Sequence, residues 1–156
     1  SATWPQEVES LASDFVNAPL KVRIGSLETS AVHSVTQNVL VVDRRDKFNI
    51  LMEDIVPGEL SKGGQVLVFV STRRVSMFLF GQVEEAGGKA VLIHGGKTQL
   101  EREEALDDFS KGRCPVMIAT DVLQRGLDIP RVTCVVNYDF PQQIEVLTIF
   151  LFWLNF

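Results

Sequence analysis

The 156-residue chain has the size of one domain, long enough to bury roughly two-thirds of its unfolded surface. Its 46% hydrophobic and 22% charged residues fit a soluble globular fold. Net charge is −5 and the pI is near 5.0, which excludes a broad cationic surface for nucleic acid. Any phosphate binding must be local, through a few Arg or Lys side chains and backbone N–H groups.

Ser1-Ala2-Thr3 leads without an initiator Met, so the chain reads as beginning inside a longer protein. Trp4-Pro5 opens a predicted helix with the apolar stripe Val8, Leu11, Ala12, Phe15 and Val16, ending before Pro19. Leu20–Ile24 and Val35–Val42 are strand-like, joined by a polar loop that holds His33. Asp43 begins a second helix, expected to run to Val56 and stop at Pro57-Gly58. Gln65–Val70 is apolar throughout after its first residue, as a strand covered on both faces should be.

Ser71 or Thr72 caps the next helix, which carries Val75, Phe78, Leu79 and Val83 and ends at Gly87-Gly88. Lys89–Ile93 forms a short buried strand closed by His94-Gly95-Gly96. Thr98 and Glu101 have the spacing of a capping box, and Leu100, Leu106 and Phe109 give that helix an apolar side as far as Gly112. Val116-Met117-Ile118 and Val132–Val136 are further strands, and between them lies Ala119–Pro130, dense in polar residues. Strands alternating with helices imply an α/β fold with a mostly parallel sheet flanked by helices. Strand ends at Val70, His94 and Ala119 then deliver polar groups to one rim, where open α/β sheets hold ligands.

Cys114 and Cys134 read as reduced core side chains rather than a disulfide. His33 and His94 stand apart in sequence, so no metal set is expected. There is no signal peptide, membrane-spanning stretch or internal repeat, and the default compartment is cytoplasmic or nuclear.

Each rim residue has two readings. Asp128 could accept hydrogen bonds from a ribose diol, or satisfy N–H groups of its own turn. Thr120 and Ser71 could offer hydroxyls to a phosphate, or cap helices. Gly95-Gly96 could let backbone approach a ligand closely, or supply positive φ. Gln99 and Arg102 lie in the first turn of their helix. There Arg102 works against the dipole unless a phosphate is bound, or unless it pairs with Glu101 or Glu103. No Ser–His–acid arrangement and no Gly-x-x-x-x-Gly-Lys-Ser/Thr phosphate loop is present, so spacing alone gives a nucleotide or nucleic-acid site without a reaction. A dinucleotide enzyme is disfavoured because no Gly-x-Gly-x-x-Gly follows a strand.

Taken together, these residues resemble the C-terminal lobe of a DEAD-box RNA helicase over residues 1–145. Ser1-Ala2-Thr3 resembles the motif that ends the first lobe and couples ATP hydrolysis to strand separation. Val68-Phe69-Val70-Ser71-Thr72 resembles the family's fourth motif, an RNA contact. Gln99-x-x-Arg102 matches its Gln-x-x-Arg element, and His94-Gly95 the loop just before it. Ala119-Thr120-Asp121 resembles the fifth motif, which grips the RNA backbone, and Arg125-Gly126-Leu127-Asp128 the element whose Asp reaches the ATP ribose. Val136-Asn137-Tyr138-Asp139-Phe140-Pro141 matches the segment that precedes the last motif.

The resemblance implies a RecA-like three-layer lobe, with residues 1–18 ending the first lobe and residues 19–145 forming an incomplete second one. It implies RNA contacts at Ser71, Thr72, Gly95, Gln99, Arg102, Thr120 and Asp121, and ATP contacts at Arg125, Gly126 and Asp128. RNA and the N-terminal helicase lobe are the implied partners. ATP with Mg2+ is the cofactor of the complete enzyme, and this chain alone holds none.

The chain also departs from the family. The phosphate loop and the Asp-Glu-Ala-Asp box belong to a first lobe that this chain has only through Ser1-Ala2-Thr3. Where the family continues with an arginine-rich motif, residues 146–156 are Val-Leu-Thr-Ile-Phe-Leu-Phe-Trp-Leu-Asn-Phe, without a charge. Arginine fingers are worth about 10³–10⁵ in phosphoryl transfer, so this chain is not expected to hydrolyse ATP alone. The run is too short to span a bilayer, which takes about 20 residues. It reads as a truncation, altered splice or frame change, with a surface or partner anchor as the alternative. The functional alternative is a non-catalytic RNA- or helicase-binding module.

Overall fold

The computed structural model describes residues 12, 14–16, 36–120 and 131–139. The strand expected at Leu20–Ile24 and most of the first helix lie outside them. Residues 12, 14 and 15 are helical, as expected, but Phe15 and Val16 are exposed rather than part of a core. Periodicity identifies a helix face without identifying what covers it.

Of the strand expected at Val35–Val42, the described residues 36–42 are not in a strand: they join no ladder among the described residues, and Val39, Leu40 and Val41 are exposed. β-branched residues favour a strand only where a pleated neighbour buries them. The next helix, α1, passes its expected stop at Pro57-Gly58. It runs as an α-helical turn Lys47–Asn49, a π-helical stretch Ile50–Ile55 and a second α-helical segment Val56–Ser61. The wider π turns just upstream accommodate Pro57, which has no N–H to donate and whose ring crowds the preceding turn. The helix stops instead at Gly63, where Gly64 N–H donates to Glu59 O and Gly63 N–H to Leu60 O. This double bond around a residue with positive φ is a Schellman motif. Gly87 and Gly112 end the following two helices in the same way.

From there the chain runs β1 (Gln65–Phe69), α2 (Arg73–Glu85), β2 (Ala90–Ile93), α3 (Gln99–Ser110), β3 (Val116–Ala119) and β4 (Val132–Asn137). The four strands lie in the order β2-β3-β1-β4, and every described pair is parallel. All five residues of β1 are buried, as expected for a strand covered on both faces. Val66, Val68 and Val70 pack with Leu51, Val56, Leu79 and Val83 of α1 and α2. Leu67 and Phe69 face the other side, with Val91, Ile93, Met117 and Phe109 of α3. The result is three layers, helix–sheet–helix.

Two apolar positions depart from expectation. Leu100 is 65% exposed, so the buried side of α3 is carried by Phe109 with Leu106 beside it. Phe78 is 66% exposed and lines a groove of about 260 Å³ with Arg44, Arg45, Lys47 and Tyr138. Cys114 and Cys134 are free and half-buried.

Candidate functional site

Strand register builds the rim. Ile93, Ala119, Phe69 and Asn137 stand in one row across the sheet, so the four strands end level. With neighbouring strands about 4.8 Å apart, the row is roughly 14 Å long. One more backbone bond carries each strand past its end: Thr120 N–H to Ile93 O at 3.1 Å, Val70 N–H to Ala119 O at 3.0 Å and Tyr138 N–H to Phe69 O at 2.9 Å. His94, Thr120, Ser71 and Asp139 are thereby brought to the same edge.

Thr120 is 5% exposed, its N–H is committed to the sheet, and its hydroxyl makes no hydrogen bond to a described residue. Ser71 does not cap α2. Thr72 does, its Oγ1 accepting from Val75 N–H at 3.2 Å. Ser71 instead turns both its donors on one carboxylate oxygen, Asp139 Oδ2, with N–H at 3.0 Å and Oγ–H at 2.9 Å. Lys47 holds that carboxylate from the other side at 3.6 Å, donates to Tyr138 O at 2.7 Å and lies over the Tyr138 ring.

The loop between β2 and α3 is built for close approach. His94 is 4% exposed and its Nδ1 accepts from Gly96 N–H at 3.0 Å, which leaves the neutral ring's proton on Nε2. Burial first, then the charges of Arg73 and Lys97, pushes the imidazole below its ordinary value. Gly96 has no positive φ. A Cβ there would meet Arg73 Nη1 at 2.5 Å, so a larger residue would displace the end of that side chain. The positive-φ reading therefore does not hold at Gly96, and the group that lies against it is the Arg73 side chain.

The capping box of α3 is present: Glu101 N–H donates to Thr98 Oγ1 at 3.3 Å and Thr98 N–H donates to Glu101 Oε2 at 2.7 Å. Glu101 also pairs with Lys97, and Glu103 accepts from Gln99. Arg102 therefore pairs with neither neighbouring carboxylate. Its Nη2 reaches Gly95 O at 3.4 Å, and its buried Nε has no partner among the described residues. Nor do Arg73 and Arg74 enter an ion pair with any described residue. A chain of net charge −5 thus gathers Arg73, Arg74, Lys97 and Arg102 around the β2–α3 loop and the start of α2, where the nearby carboxylates of Glu101, Glu103 and Asp139 are engaged by the α3 cap and Lys97, by Gln99, and by Ser71 and Lys47. Such a surface can hold a chain of phosphates locally.

Of the residues singled out by sequence, the structure brings Ser71, Thr72, Gly95, Gln99, Arg102 and Thr120 to this edge. Gln99 turns to Glu103 and Thr72 to its cap. Ser1, Ala2, Thr3, Asp121, Arg125, Gly126 and Asp128 lie outside the described residues. Sequence reasoning missed Arg73 and the bond from Asp139 to Ser71. Both are contacts across the sheet edge that no local spacing announces. Among the described residues no helix is long and apolar enough to cross a membrane, and no group of three or more His, Cys, Asp or Glu could hold a metal.

Residues 46–148 match the helicase conserved C-terminal domain. Over 145 residues the chain is 43% identical to the ATP-dependent RNA helicase DBP2 of Candida glabrata, covering 93% of this chain and 27% of that protein. It is 44% identical to DEAD-box ATP-dependent RNA helicase 30 of Arabidopsis thaliana, over 93% of this chain and 24% of the relative. The chain thus spans about a quarter of the length of the curated relatives it matches. Among solved structures, Saccharomyces cerevisiae Dbp5 bound to RNA and ADP BeF3 superposes with a TM-score of 0.81 at 30% identity, covering 98% of this chain and 40% of that one. A DEAD box protein from Methanococcus jannaschii gives 0.68 at 28% identity, covering 96% and 39%. The all-parallel, helix-flanked sheet is a RecA-like lobe, and the chain belongs to the helicase conserved C-terminal domain family as the C-terminal helicase domain of a DEAD-box RNA helicase.

Proposed function

We propose that this domain acts as the second lobe of an ATP-dependent RNA helicase, holding the backbone of single-stranded RNA at the strand-end rim. The observation that carries the reading is the group Arg73, Arg74 and Arg102, none of them in an ion pair with a described residue, at the strand-end rim that also carries Thr120, on an otherwise acidic chain. Donors of this kind grip phosphates and read no base, so the grip is independent of sequence. Gly95, Gln99, Thr72 and Asp121 complete the RNA face of this proposal. Arg125, Gly126 and Asp128 are proposed for the ATP side, with Asp128 on the ribose, and ATP enters as its Mg2+ complex. Ser1-Ala2-Thr3 would join this lobe to the first and pass hydrolysis to strand separation. A cytoplasmic or nuclear location accords with that role.

RNA crosslinking to this chain, joined to a DEAD-box first lobe and supplied with ATP, tests the reading. Adducts should map to Ser71, Gly95, Arg102 and Thr120, and Arg102→Ala should weaken binding. Adducts confined to other faces would sink it. The uncharged residues 146–156, standing where the family has its arginine-rich motif, favour a second reading as a non-catalytic RNA- or helicase-binding module. RNA-stimulated ATP hydrolysis by the joined protein would exclude that alternative, and RNA binding without turnover would support it.

A further inference from the structure

The Ser71–Asp139 contact sits awkwardly in an RNA site. Both donors that Ser71 could give to a phosphate, its N–H and its Oγ–H, already end on Asp139 Oδ2 at 3.0 and 2.9 Å. The second carboxylate oxygen is held by Lys47 at 3.6 Å. Two converging donors and an ammonium form an anion site, and here the anion comes from the chain itself. We infer that Asp139 is a positioning residue that sets the strength of the RNA grip: its carboxylate fills the place of a phosphate at Ser71 and must give up those donors when RNA binds.

Three features support an exchange rather than a fixed brace. Ser71 is exposed, so a ligand can reach it from solvent. Lys47 has its own anchors in Tyr138 O and the Tyr138 ring, so it stays in place whichever anion faces it. Tyr138 N–H is fixed to Phe69 O at 2.9 Å, which holds Asp139 next to Ser71 without help from the serine. Burying this contact would make it a structural bond. At the open rim it is a competitor, because a carboxylate about 4 Å from a phosphate repels it by a factor of roughly five in water.

This inference rests on the RNA reading of the rim, and the experiment separates the two. Labelled single-stranded RNA is titrated by anisotropy against the chain joined to a DEAD-box first lobe, as wild type, Asp139→Asn, Ser71→Ala, the double variant and Arg102→Ala. Thermal unfolding is followed in parallel, and Asp139→Ser serves in place of the asparagine if that variant fails to fold. Asp139→Asn should tighten binding roughly fivefold, and one more engaged phosphate should steepen the salt slope by about 0.7. The gain should vanish in the Ser71→Ala background, which a merely structural role would not produce. Unchanged or weaker binding by a folded Asp139→Asn, with Arg102→Ala still deleterious, overturns the inference and leaves the rim reading standing. Unchanged binding by Arg102→Ala as well overturns both.

Discussion

Phe109 should be the side chain on which α3, and with it the placement of Arg102 at the rim, most depends. It is fully buried, among Leu67, Phe69, Val91, Ile93, Met117 and Ala119, and its carbonyl accepts from the buried Gln65 amide. Phe109→Ala removes that ring from a close-packed site and should cost about 3–5 kcal/mol. For a domain with a total stability of about 5–15 kcal/mol, that is a large fraction. Urea unfolding of the chain followed by circular dichroism measures it, and with a slope of about 2 kcal/mol/M the midpoint should fall by roughly 2 M. Leu106→Ala, at the edge of the same cluster, should cost about half as much. Leu100→Ala, 65% exposed on the same helix, should stay within about 0.5 kcal/mol. A loss below about 1 kcal/mol at Phe109, or equal losses at all three positions, refutes the burial argument.

Gly64 and Gly63 should fail for different reasons when changed to Ala. A Cβ on Gly64 would meet Thr133 Oγ1 at 2.0 Å, whereas Gly63 has open space but φ +76. Each should cost about 1–3 kcal/mol, and Thr133→Ala should recover part of the loss at Gly64 and none at Gly63 in thermal unfolding. Glu101 is held down to about 2, first by Thr98 N–H, then by Lys97 and the Thr98 hydroxyl. Because the folded value lies below the unfolded one, its contribution is fully present above about pH 4.5 and fades as pH falls toward 2. Protection of the amides at the start of α3, taken relative to their intrinsic exchange rates, should fall as pH is lowered across that window, and Glu101→Gln should abolish the dependence. Burial pushes both cysteine thiols up, so native Cys114 and Cys134 should alkylate more slowly at pH 8 than in the unfolded chain; equal rates would contradict this.

Local chemistry was legible wherever one residue's neighbours in sequence are also its neighbours in space. The capping box at Thr98 and Glu101 and the glycine stops at Gly87 and Gly112 follow from spacing alone. So does β1, because an unbroken apolar run has to be covered on both faces. Pro57 misled because a proline's effect depends on the hydrogen bonds upstream, and here these are of the wide π type. Val35–Val42 has strand-forming residues but no ladder partner among the described residues, and pairing is a property of two segments rather than one. The rim was foreseen from strand ends, yet the partner of Ser71 lies 68 residues away and the group against Gly96 comes from another helix. Those pairings arise from strand order, which no single stretch encodes.

The charge distribution also limits how this domain can work. With net charge −5, its overall field repels nucleic acid at long range, so long-range steering does not speed encounter. Binding has to come from groups already close to the phosphates, and the Debye length of about 8 Å at physiological salt confines each of them to its own neighbourhood. A rim roughly 14 Å long can then engage only a short length of RNA. If the rim holds RNA as proposed, one lobe with few contacts would give a weak, salt-sensitive grip, and a second lobe would lengthen the footprint. On the proposed function that requirement would give ATP a mechanical role: whatever brings the lobes together would double the contacts, and whatever parts them would halve the hold. The strand ends are level and fixed by backbone bonds, so on the proposed function Thr120 would transmit such a movement with little slack, while the exposed Ser71 would adjust to the strand it meets.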